Sequence, residues 1–221
     1  QGNPAFRRVA PRFDVVIHHG DAACAGQNVG EDKIGHPIGI GSRRMGKNQI
    51  VVADGIAIHG FSSFEYIREV LIPAVHEGAR RAGKDPKDLI ISGGGFMVTG
   101  RNEEEVARAR EVARRRISFY ASTRSYSRVM KQHGWDDEAA HLHRLSIEGG
   151  WDEMVDVITD DMMEEFCVIG TWDEIVDRMR EKYAGINTRV SFGESPQNPD
   201  EVDEIKEIIS ELRTIPAVGE V

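Results

Sequence analysis

The chain has 221 residues and a formal net charge of −9, with 37 acidic side chains against 28 basic ones. The two signs are interspersed, which excludes the basic face that nucleic-acid phosphates require. With only two cysteines, Cys24 and Cys167, there is no disulfide framework or cysteine zinc site, and no apolar run approaches the ~20 residues of a membrane helix.

The expected class is therefore a soluble α/β protein of the cytoplasm, with no nucleic-acid or membrane partner. No signal-peptide pattern is read at the start. The chain opens on Gln1 rather than Met, which leaves a longer natural product open.

Residues 1–34 are the least patterned. Phe13-Asp14-Val15-Val16-Ile17-His18 reads as a strand, and Gly20 to Gly35 as loop. From there the pattern is regular. His36 to Gly41 reads as a short strand, and Ser42 caps a weak helix over Arg43-Arg44-Met45, interrupted by Gly46, Lys47, Asn48 and Gln49. A buried strand follows near Ile56-Ala57-Ile58-His59.

Ser62-Ser63-Phe64-Glu65 reads as a capping box opening an amphipathic helix with Ile67, Val70, Leu71, Ala74, Val75 and Ala79 on one face. Pro73 removes one ladder hydrogen bond and is expected to bend it; Gly83 and Pro86 end it. One strand is then expected from Leu89 through Gly93-Gly94-Gly95 to Val98.

Asn102 to Glu105 reads as a second capping box, with Glu103, Glu104 and Glu105 in the first helical turn, and that helix should reach about Tyr120. Residues 121–166 read as a long, mostly helical insertion. Cys167 to Gly170 is a short apolar segment before a helix capped by Thr171 and Glu174. Arg189 to Phe192 reads as the last strand, and Pro199 to Arg213 as the closing helix, with Val202, Ile205, Ile208, Ile209 and Leu212 at helical spacing. The expected architecture is a parallel sheet with about four βα units.

Several phrases, in their order and spacing, resemble one family. They are Ile38-Gly39-Ile40-Gly41-Ser42-Arg43-Arg44-Met45, Val52-Ala53-Asp54-Gly55-Ile56, His59-Gly60-Phe61 and Gly94-Gly95-Phe96-Met97-Val98-Thr99-Gly100. Phe119-Tyr120-Ala121-Ser122-Thr123, His133-Gly134-Trp135 and Cys167-Val168-Ile169-Gly170-Thr171-Trp172-Asp173-Glu174-Ile175 complete the set. The resemblance is to the second half of luciferase-like flavin and F420-dependent oxidoreductases.

It implies a partial (β/α)8 TIM barrel of the bacterial luciferase-like type, since a whole barrel usually needs roughly 250 residues. Residues 35–221 would form this half-barrel domain, with the insertion at about 121–166 and residues 1–34 poorly matched. It further implies a cofactor, F420 or alternatively FMN, at the C-terminal ends of the strands. Its phosphate would lie near Gly41, Ser42 and Arg43, and near His59, Gly60 and Phe61. Glycine allows close approach, a helix start offers free N–H groups, and arginine adds charge.

The residues themselves keep other readings open. Gly41-Ser42-Arg43-Arg44 also fits an ordinary helix start with solvated arginines, and His59 a satisfied structural histidine. Gly93-Gly94-Gly95 fits close packing better than a phosphate cradle, lacking the Lys-Ser/Thr of a P-loop. Trp135, Trp151, Tyr120 and Phe119 fit an insertion core, or a roof over a substrate pocket. No metal-ligand spacing is present and no catalytic residue is assigned.

The expected function is an oxidoreductase of a small organic substrate, by hydride transfer or monooxygenation, as a homodimer or larger assembly. Two alternatives are a catalytically inactive half-barrel with an assembly role and a small phosphometabolite binder.

Overall fold

The computed structural model describes residues 14–17, 54–194 and 196–217. The expected strand and weak helix over 36–49 lie outside the described residues, and Gly41, Ser42 and Arg43 with them.

Six strands are described: β1 (Asp14–Ile17), β2 (Gly55–Ile58), β3 (Ile90–Gly93), β4 (Phe96–Gly100), β5 (Cys167–Thr171) and β6 (Arg189–Phe192). Four form a parallel sheet in the order β1-β6-β3-β2; β4 and β5 form a separate parallel pair. The early strand expected near Phe13–His18 is thus β1, in register with β6 from Asp14↔Arg189 to Ile17↔Phe192.

The single strand expected from Leu89 to Val98 is instead two. Gly93, Gly94 and Gly95 all take left-handed backbone, at φ 78°, 87° and 71°. No run of extended residues survives that geometry, so the ladder ends at Gly93 and restarts at Phe96. A Cβ on Gly93 would fall on the Ile58 carbonyl oxygen, one on Gly94 would lie 2.6 Å from Ile67 Cδ1, and one on Gly95 2.5 Å from Phe64 Cζ. The triplet is a hinge through which the chain leaves β2 and β6 to pair with β5.

The helix after β2 differs at its start from the expected capping box. Ser63, not Ser62, is the N-cap, accepting the Tyr66 N–H at 3.2 Å, so Glu65 falls one position short of the place where it could bond back to the cap. The helix runs as α1 (Phe64–Tyr66), a π turn (Ile67–Leu71) and α2 (Ile72–Arg81). The π turn ends two residues before Pro73, whose missing N–H and ring the widened turn accommodates.

The helix α3 (Glu103–Ala121) is capped by Asn102 Oδ1, which accepts the Glu105 N–H at 3.0 Å. The Glu105 carboxylate reaches back to the Arg101 N–H at 2.8 Å. Then come α4 (Ser127–Gln132), α5 (Asp136–Glu148), α6 (Glu153–Val157) and α7 (Asp160–Phe166). The apolar segment expected at 167–170 is a full strand, β5, because β4 offers it a parallel partner from Phe96↔Cys167 to Gly100↔Thr171.

Thr171 and Glu174 form the expected capping box of α8 (Trp172–Tyr183), and α9 (Pro199–Leu212) closes the chain under an Asn198 cap. Four strand-to-helix units are therefore described, though not the expected four: the first expected one lies outside, and β5–α8 is added.

Two apolar cores result. One joins the sheet (Ile56, Ile58, Ile91, Val190, Phe192) to Leu71 and Val75, to Ile175 and Met179 of α8, and to Ile205 and Leu212 of α9. The other joins β4 and the insertion through Phe61, Val98, Ile117, Met130, Leu142, Met163, Phe166 and Cys167. Each fully buried large side chain contributes roughly 1.5–3 kcal/mol. Among the described residues no helix is long and apolar enough to cross a membrane.

Candidate functional site

In parallel α/β sheets ligands bind at the C-terminal ends of the strands. Here that edge carries His59-Gly60-Phe61 after β2, the glycine hinge after β3, and Gly193-Glu194 after β6.

His59 is half-buried in a nest of aromatic rings. Tyr126 stacks on it at 5.3 Å between centroids and Tyr120 meets it edge-on at 4.8 Å. The Phe61 N–H donates to His59 Nδ1 at 3.0 Å, so Nδ1 is the unprotonated nitrogen and the ring proton sits on Nε2. Burial lowers the His59 pKa, which keeps the ring neutral at pH 7. The geometry yields a neutral imidazole of fixed tautomer, with an Nε2–H donor.

Of its neighbours, Gly60 packs close to Phe96: a Cβ there would lie 3.0 Å from the Phe96 ring. Phe61 is wholly buried and stacks on Phe166 at 4.4 Å, so its side chain is core and only its backbone serves His59.

At the glycine hinge lies a cavity of about 160 Å³ lined by Gly93, Gly94, Gly95, Tyr183, Asn187, Ser191 and others. It occupies the gap left where β3 touches β6 at one pair only, Ser92↔Arg189, before the hinge carries the chain away. Tyr183 and Asn187 hold the hinge. The Tyr183 hydroxyl donates to the Gly94 carbonyl at 2.7 Å and Asn187 Nδ2 to the Gly93 carbonyl at 2.8 Å. Asn187 Oδ1 is buried without a hydrogen-bond partner.

At the end of β6, Glu194 has its pKa raised, first by burial and then by Glu105 and Glu201. A second concavity, of about 330 Å³, lies between α8 and α9 and is lined by Arg101, Trp172, Asp173, Glu204, Glu207 and Glu211. Arg101 is engaged with Glu201 at 3.4 Å and Glu204 at 3.0 Å, and lies over the Trp172 ring. That lining suits no phosphate.

The aromatic phrases of the insertion divide. Tyr120 and Trp135 pack against the second core, while Phe119 and Trp151 are about half-exposed and stack on each other at 6.5 Å. Tyr126, Tyr183 and Asn187 had no sequence signal; only their position against His59 and the hinge singles them out.

A family model described as luciferase-like monooxygenase matches residues 5–189. The chain belongs to the luciferase-like monooxygenase family. This luciferase-like chain is 39% identical over 139 residues to an uncharacterized protein of Mycobacterium tuberculosis, a match covering 63% of this chain and 41% of that protein. It is 25% identical over 162 residues to the 5,10-methylenetetrahydromethanopterin reductase of Methanopyrus kandleri, covering 73% of this chain and 44% of the reductase.

The solved structure of the coenzyme F420-dependent tetrahydromethanopterin reductase from Methanopyrus kandleri superposes with a TM-score of 0.57 at 22% identity. The superposition covers 79% of this chain and 48% of that one. At that identity the likeness shows the fold, a partial (β/α)8 barrel of luciferase-like type. The luciferase-like chain spans about half the length of the curated relatives it matches.

Proposed function

We propose that this chain is an F420-binding oxidoreductase unit acting on a small organic substrate, with FMN as the alternative cofactor. The observation that carries the reading is His59. It is a neutral donor of fixed tautomer, walled by Tyr120 and Tyr126, at the strand edge where barrel ligands bind. The family match and the similarity to an F420-dependent reductase support the choice of cofactor.

The described residues fit such a cofactor as one wall of its site. Ligand pockets enclose roughly 300–1,000 Å³, and the 160 Å³ cavity beside the hinge cannot enclose the whole cofactor. His59 Nε2–H would donate to a carbonyl or ring-nitrogen acceptor. The Tyr120 and Tyr126 rings would exclude water from that edge. When bound, the deazaflavin or flavin supplies the hydride chemistry. Gly41, Ser42, Arg43 and Gly60 are the proposed phosphate side.

The test is titration of the purified chain with F420 and, separately, FMN, followed by fluorescence quenching. Saturable binding is expected, weakened about tenfold by His59→Asn, the scale of one hydrogen bond. A folded protein that binds neither cofactor would overturn the proposal.

A second reading rests on the sheet, whose outer strands among the described residues are β1 and β2. Unpaired outer strands are a template for association, so two copies would close on each other as a homodimer. Light scattering decides it: a monomer that still binds cofactor removes this reading.

A further inference from the structure

We propose that Glu65, His133 and Glu165 form a divalent-metal site that clamps the helical insertion to the helix after β2. One ligand atom from each lies within 4.8 Å of the other two. Glu65 stands in the first turn of α1, His133 caps the C-terminus of α4, and Glu165 is in the last turn of α7. The three are far apart in sequence and meet only because the insertion folds back over the strand edge.

The imidazole is placed as a ligand. The His133 side chain is only 7% exposed, and its ring stacks on Trp135 at 4.3 Å and 16°, which fixes its plane. Nε2 lies 2.7 Å from Ser63 Oγ, while Nδ1 makes no hydrogen bond and faces Glu65 Oε2 at 3.8 Å. Metal-bound histidines characteristically donate their other ring N–H to an oxygen, and Ser63 is in that position. In that tautomer Nδ1 carries its lone pair and faces the Glu65 carboxylate.

The charge of the cluster suits a cation. Neither Glu65 nor Glu165 ion-pairs with a lysine or arginine among the described residues; Glu65 is met only by the neutral Gln132 amide, at 3.4 Å, and by His133. Two converging carboxylates and an imidazole lone pair repel one another in the absence of a positive charge between them. One nitrogen and two carboxylate oxygens suit Zn²⁺ or another borderline divalent ion. Tetrahedral Zn²⁺ at about 2.0–2.2 Å from each ligand puts ligand atoms about 3.3 Å apart. The His133–Glu65 separation of 3.8 Å, and separations of up to 4.8 Å within the set, must close to that by side-chain rotation when the ion binds.

The site does not depend on the cofactor reading, since it is set by other residues. Its test uses the whole chain, stripped with a chelator and titrated with Zn²⁺ against a chromophoric competitor. One Zn²⁺ per chain is expected, with a rise in thermal midpoint on binding. His133→Asn and Glu165→Gln should each weaken uptake about tenfold or more and abolish the thermal shift, while His141→Asn, on the neighbouring helix, should leave both unchanged.

Glu165 is partly exposed, so its variant answers the question even where His133→Asn fails to fold. No stoichiometric uptake by the wild type, or uptake unchanged in Glu165→Gln, would overturn the proposal, the second result placing the ion elsewhere.

Discussion

The Tyr183 hydroxyl donates to the Gly94 carbonyl at 2.7 Å, tying helix α8 to the left-handed hinge between β3 and β4. Tyr183 is buried, and burial raises its pKa, so it stays protonated and remains a donor throughout the neutral range. The hinge carbonyl thus has its hydrogen-bond partner inside the fold.

Tyr183→Phe removes the donor and leaves the Gly94 carbonyl without the phenol as partner. The expected loss is about 1–3 kcal/mol, the cost of an unsatisfied buried polar group. Urea unfolding followed by circular dichroism measures it. A loss within error of zero would mean that water replaces the phenol at the hinge.

Gly95→Ala should cost more than Gly83→Ala, although both glycines are left-handed, at φ 71° and 69°. A Cβ at position 83 meets nothing within 4 Å, whereas one at position 95 lies 2.5 Å from the Phe64 ring. The surface site should lose only about 1 kcal/mol for its backbone conformation, and the hinge site about 1–3 kcal/mol beyond that. Equal losses would remove the steric argument for the hinge.

Stability should fall on mild acidification because two histidines resist protonation in the fold. Burial lowers the pKa of His59, and burial followed by Arg80 lowers that of His76, both from 6.5. Below about pH 6.5 the unfolded chain binds more protons than the folded one. The stabilising contribution is whole above that pH and is lost as pH falls through the lowered folded values.

Glu194 acts in the opposite sense. Its raised folded pKa adds stability that is present below 4.5 and lost as pH rises through the raised value. Urea midpoints recorded from about pH 7.5 to 5.5 should decline in the wild type and decline less in His76→Gln, a difference that isolates His76. Parallel slopes would exclude its contribution.

Cys167 should be inert while the chain is folded. It is buried under the insertion, and burial, followed by Glu164, pushes its pKa up to about 12. The thiolate is the reactive form, so an aromatic disulfide reagent at neutral pH should modify it only as fast as the chain unfolds. Modification as fast as that of a free thiol would show that the second core opens locally.

Much of the local structure was legible because the interactions that make it are short in sequence. The Thr171–Glu174 capping box, the Asn102 cap with its acidic first turn, and the apolar spacing along α2, α8 and α9 each depend on groups three or four residues apart. The family resemblance, built from such phrases in fixed order, also carried the partial barrel, which the family match and the superposition then showed.

The tertiary structure decided what depends on distant partners. A run of apolar residues around three glycines reads as one strand; only the packing of Ile58, Ile67 and Phe64 against those glycines breaks it in two. Cys167 to Thr171 became a strand because β4 stood beside it. The box read at Ser62–Glu65 moved by one residue, and Glu65, released from the cap, turned towards His133, 68 positions away, and Glu165, 100 positions away. Hydrogen-bond caps and periodicity are local and can be read from spacing. Strand partners, buried orphans such as Asn187 Oδ1 and convergent ligand sets arise only when the folded chain brings remote side chains within a few ångströms.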